Sequence, residues 1–146
     1  MSQSSNLHNN GQRIPLLAAL TIGAAVSATG TTPVVKLSGA QYLAVEAQFL
    51  YGAGGTTVDA YIQTSLDGGT TWIDIMNFHF TTSAASKVSA VVTSTALAAG
   101  ITPTDGTLTN NTILSGLLGD RIRAKYVTVG TYTGATSLQL DAVVKG

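Results

Sequence analysis

Hydrophobic and polar residues alternate with a period of two over much of this chain, which is the signature of strands with one buried face. In residues 41–51, Leu43, Val45, Ala47, Phe49 and Tyr51 take one parity and Tyr42, Ala44, Glu46 and Gln48 the other. A Gly52-Ala53-Gly54-Gly55 turn ends that strand. Residues 57–64 alternate Val58, Ala60 and Ile62 against Asp59, Tyr61 and Gln63, and residues 70–80 read as the antiparallel partner across Gly68-Gly69. These three strands predict a meander. Residues 87–95 and 107–114 predict two weaker strands. Residues 121–129 and 137–145 predict a closing hairpin around Gly130 and Gly134.

The front of the chain has a different texture. Residues 1–14 are mostly Ser, Asn, Gln and Gly with one cation, Arg13, and no apolar run of the kind a secretory signal needs, which predicts a flexible arm. Residues 15–26 are the most hydrophobic stretch. They are too short and too interrupted by Gly and Thr to span a bilayer, so they predict a core strand. A helix competes over residues 16–20, but Ile22, Ala24, Val26 and Ala28 continue with period two. About eight strands bounded by Gly, Pro and Asp turns, with no amphipathic helix, predict one all-β domain over residues 15–146. Its expected form is an antiparallel β-sandwich or jelly roll, with a closed barrel as the alternative.

Composition narrows the function classes. The 146 residues carry 7 Lys plus Arg against 7 Asp plus Glu, so no net field steers the chain onto nucleic acid or an anionic membrane. Only 10% of residues are charged, while 22 are Thr and 19 are Ala. Thr suits pleated, half-buried surfaces, and a near-neutral hydroxyl exterior suits a protein packed against partners better than a free monomer. With no Cys and 2 His, neither a disulfide framework nor a zinc knuckle can form.

No catalytic constellation emerges, and no cofactor is expected. His79 has no second His or Cys near it in the chain, His8 lies in the predicted arm, and the glycines fall in hairpins rather than before a helix. Asp59 and Asp74 stand at nearly symmetric distances from the Asp67-Gly68-Gly69 turn. If adjacent, they would need a cation such as calcium, or basic partners, to offset them. Arg121, Arg123 and Lys125 follow at every second position and share one strand face, with Ile122, Ala124 and Tyr126 on the other. That stripe reads either as cross-strand pairing with Glu46, Asp59 or Asp141, or, with Arg13, as a contact patch for an acidic protein surface.

The segment Ser65-Leu66-Asp67-Gly68-Gly69-Thr70-Thr71-Trp72 resembles the Asp-box pattern Ser-x-Asp-x-Gly-x-Thr-Trp of sialidases and many other β proteins. Its physical content is a turn. Asp67 accepts backbone N–H bonds, Gly69 supplies a backbone shape closed to other residues, and Trp72 packs beneath. The resemblance implies a folding device rather than a catalytic one. A propeller is excluded, because one box in 146 residues cannot build its repeated sheets.

The polar arm, the Val35-Lys36-Leu37-Ser38-Gly39 lead, the run from Tyr61 through the box to Ile75, and Arg121-Ile122-Arg123-Ala124-Lys125-Tyr126 together resemble small tailed-bacteriophage virion proteins. The chain is similar in size and style to jelly-roll head decoration, or cement, proteins. That resemblance implies a non-enzymatic protein on the outer surface of the capsid, bound to the major capsid protein and associated as a dimer or trimer. Its contacts would come from residues 1–14 and 81–103. Two other readings stay open. One is a carbohydrate- or receptor-binding tail module, with Tyr42, Tyr61 and Tyr132 stacking on sugars. The other is a head–tail connector or tail structural protein.

Overall fold

The alternating segments pair antiparallel throughout the computed structural model, which describes residues 10–21 and 30–146. The strands are β1 (Asn10–Thr21), β2 (Gly30–Thr31), β3 (Val35–Lys36), β4 (Tyr42–Leu50), β5 (Ala53–Gly54), β6 (Thr57–Ser65), β7 (Ile73–Phe80), β8 (Ala85–Val92), β9 (Arg121–Val129), β10 (Tyr132–Thr133) and β11 (Ser137–Lys145). Seven of these have eight residues or more, and four are two-residue pieces. No helix occurs among the described residues. The first sheet runs β1-β11-β4-β8 and the second β2-β9-β6-β7, with β3 also on β9. Packed face to face, they form an all-β antiparallel sandwich.

The core is the inward parity of each sheet. Leu43, Val45, Ala47 and Phe49 of β4 and Leu138, Leu140, Ala142 and Val144 of β11 meet Val58, Ala60, Ile62, Phe78 and Ile122 from the second sheet. Each large side chain so buried contributes about 1.5–3 kcal/mol. One end is closed by aromatics. Phe49 stacks on Phe80 at 5.1 Å and meets the Tyr132 edge at 5.9 Å, while the Tyr132 hydroxyl donates to the Thr81 carbonyl at 2.8 Å.

Three expectations are corrected. The meander does not form, because β4 belongs to the first sheet and β6 and β7 to the second. The closing hairpin does not form either, since β9 and β11 lie in different sheets. In both places the chain crosses the sandwich, and the two crossings clasp one another as the β5–β10 ribbon. Positive φ at Gly54 and Gly134 lets the chain turn there. The segment 107–114 is no strand; it contributes one isolated bridge, Ile113 to Met76.

The expected arm over residues 1–14 is corrected where it overlaps β1. Asn10 to Ile14 are the first half of β1, with Arg13 opposite Val143 and Ile14 opposite Ala142 and buried. Residues 1–9, including His8, and residues 22–29, including the Ile22–Ala28 alternation, lie outside the described residues.

Candidate functional site

The Asp-box segment folds as the turn its residues imply. The Asp67 carboxylate accepts the Thr70 and Thr71 amides at 3.1 and 2.8 Å and the Ser65 hydroxyl at 2.9 Å, and Ser65 Oγ in turn accepts the Gly69 amide. Gly69 has φ 96°, in the left-handed region where a side chain is strained. The hydrogen bonds, led by the Thr71 amide, pull the Asp67 carboxyl down to about 2. Trp72 is buried beside this turn. Asp67, Gly69 and Trp72 thus form one structural unit.

The basic stripe sits on the outer face of the second sheet and is engaged within the molecule. Arg123 lies over the Trp72 ring at 4.3 Å and donates from Nε to Gln63 Oε1 at 2.8 Å. Lys125 reaches the Asp105 carboxylate at 3.1 Å, and Arg121 pairs with Asp120 at 3.6 Å. Burial pulls the Arg123 pKa down, against the opposing pull of Asp105 and Asp74. The acids that form ion pairs with the stripe, Asp105 and Asp120, come from the segment 93–120, not from Glu46, Asp59 or Asp141. Arg13 lies apart from them, on the first sheet, paired with Asp141 at 2.7 Å.

A bulge explains how the segment 93–120 is held. Ile62 pairs with Met76 but Gln63 pairs with Asp74, so Ile75 is an extra residue that moves Asp74 out of core parity and onto the outer face. There the fully buried Asp74 carboxylate accepts Gln63 Nε2, the Thr104 hydroxyl and the amides of Gly106, Thr107 and Leu108. Backbone bonds from Asp74, Asn77 and Leu114 run between β7 and the same segment, and Ser115 Oγ binds Val92 at the end of β8. The segment therefore covers the β7 edge that would otherwise be open to another chain.

Asp59 and Asp74 do not face each other. The seven-residue connection 66–72 and the bulge place Asp59 opposite His79, with its Oδ1 2.8 Å from His79 Nδ1 and accepting Asn77 Nδ2 at 3.1 Å. Among the described residues no three His, Cys, Asp or Glu side chains converge as a metal site. The tyrosines expected as a sugar platform are not one. Tyr132 is fully buried in the aromatic end, Tyr61 is buried on β6 between its cross-strand neighbours Asn77 and Lys125, and Tyr42 alone of the three is partly open, beneath the Lys145 ammonium at 5.4 Å.

The remaining candidate surface is the outer face of the first sheet. A shallow groove of about 700 Å³ lies there, floored by Tyr42 and Ala44 of β4, Val88 and Ala90 of β8 and Val143 of β11. Val88 is 73% exposed and Ile113 on its rim 42%. The polar groups at its end are Arg13, Asp141 and Glu46. Asp141 and Glu46 are direct cross-strand partners. Arg13 and Gln139 Nε2 bind Asp141, whereas Glu46 accepts only the Gln48 amide, at 3.3 Å, among the described residues. This surface was not among the candidate sites expected from the sequence. Its signal was Ala44, Val88 and Ala90 standing at solvent parity, where a strand with one wet face should be polar.

The chain matches no protein-family model and no curated protein.

Proposed function

We propose that this chain is a non-enzymatic structural protein of a phage virion, a decoration protein that binds the major capsid protein on the outer surface of the shell and stabilises it. The observation that carries this reading is the apolar outer face of the first sheet, a concave surface with charged groups at its end. The low overall charge and the resemblance to cement proteins support it further. Association as a dimer or trimer would let one assembly tie several capsid sites together and raise the effective affinity.

The experiment is co-sedimentation of the purified protein with undecorated capsids, with copy number from quantitative mass spectrometry. Saturable binding at hundreds of copies per particle is the expected result. A dozen copies or fewer would move the protein to the head–tail junction or tail. Absence of binding would overturn the reading.

A further inference from the structure

The outer face of the first sheet holds an imbalance that its own residues leave in place. Asp141 and Glu46 are like charges directly opposite on neighbouring strands, an arrangement that costs stability unless a cation offsets it. Arg13 lies 2.7 Å from Asp141. Glu46 is left with a neutral amide as its only hydrogen-bonding partner among the described residues. Lys145 stands over Tyr42, whose position on β4 is four residues and roughly 13 Å of strand from Glu46 at about 3.3 Å per residue, and it forms no ion pair with Glu46. Arg13, Asp141 and Glu46 therefore sum to one negative charge at the end of an apolar groove.

We propose that this groove docks a lysine or arginine side chain presented by the partner protein. The aliphatic stem lies along Ala44, Val88 and Ala90, and the charged head reaches Glu46. A long basic side chain is the residue type with an apolar stem and a cationic tip. A neutral apolar residue would fill the floor but bury Glu46 without a cationic partner, and an acidic residue would add a third negative charge. The identity of the partner as a capsid protein rests on the function proposed above; the chemistry of the groove does not.

Two measurements test the proposal separately from that function. In the first, the intact protein is titrated with n-hexylammonium and, in parallel, n-hexanol, while the methyl signals of Ala44, Val88, Ala90 and Val143 are followed by NMR. The ammonium is expected to give saturable shifts that Glu46→Gln abolishes, and the alcohol much weaker ones. Equal shifts with both probes, or none, would overturn the proposal whether or not capsids are bound. In the second, capsid affinity is compared among the parent, Glu46→Gln and Val88→Asp. Both positions sit on the outer face, so both variants are expected to keep the fold, which their melting temperatures check. Each is expected to bind at least about tenfold more weakly, with the salt dependence flattened in Glu46→Gln. Parental affinity in both variants would overturn the proposal while leaving the decoration role standing. A monomer–dimer equilibrium broken by Val88→Asp, with no response to n-hexylammonium, would overturn it in favour of a second copy of this chain.

Discussion

Gln63 and Asp74 meet across β6 and β7, 2.9 Å apart, because Ile75 bulges out of the ladder between them and the Ile62–Met76 pair. Without the bulge, Asp74 would fall in the parity of Met76 and Phe78 and point into the hydrocarbon core. With it, the carboxylate becomes the anchor for the amides of Gly106, Thr107 and Leu108. Asp74→Asn keeps the volume but replaces an acceptor with a donor facing those amides. A loss of about 3 kcal/mol is expected by urea unfolding, together with faster amide exchange at residues 106–108. A variant within about 1 kcal/mol of the parent would show that the segment is held by its backbone bonds to β7 instead.

The Asp67 carboxyl gives a second, pH-dependent test. Its pKa falls from 3.8 to about 2 on folding, so the unfolded chain takes up its proton first as the solution is acidified. The stability it contributes is fully present above pH 3.8 and is lost as pH falls through about 2. Asp105, also held below the usual range by Gln63, Lys125 and Arg123, acts in the same direction. Asp67→Ala should lower the melting temperature at neutral pH. The gap between parent and variant should then close between pH 4 and pH 2. A gap that stays constant across that window would show that the turn is not held by the ionised carboxylate.

How far the fold was legible varies from strand to strand. The alternation of β4, β6, β9 and β11 located these elements within a residue or two, because β4, β9 and β11 each keep one face more buried than the other and β6 begins the same way before residues 60–65 are buried on both faces. Which sheet each strand joins was not legible: a Gly-rich connection such as 130–136 serves a hairpin and a crossover equally well. Hydrogen bonding to a distant segment, here β5 to β10, decides between them. The Asp box was readable because all its partners lie within a few residues of one another. The partners of Arg123 and Lys125 were not, since Asp105 reaches them only through the bulge at Ile75 and the clamp at Asp74. The groove was obscured for another reason. Alanine and valine at solvent parity look like ordinary strand residues until neighbouring strands align them on one face.

Arg123 and the single tryptophan provide a spectroscopic handle. The guanidinium covers one face of the Trp72 ring, so Arg123→Ala should move the emission of this sole tryptophan to longer wavelength and cost about 1–2 kcal/mol in lost stacking and hydrogen bonding. Arg123→Lys keeps the charge but loses the planar contact and the Nε bond to Gln63, and should recover only part of the loss. Full recovery by lysine would show that charge alone matters at this position.

The start of β1 can be tested by comparing two deletions, one ending at residue 9 and one at residue 14. Their difference isolates Asn10 to Ile14, which pair with β11 and bring Ile14 into the core. Burial of Ile14 alone is worth about 2 kcal/mol, so the longer deletion should unfold several degrees lower than the shorter one. Arg13→Ala separates packing from charge. Its side chain is 64% exposed, so the pair with Asp141 should contribute less than about 1 kcal/mol and weaken with salt. A longer deletion that melts with the shorter one would mean that β11 forms the stable edge of the first sheet and that β1 adds nothing to its stability.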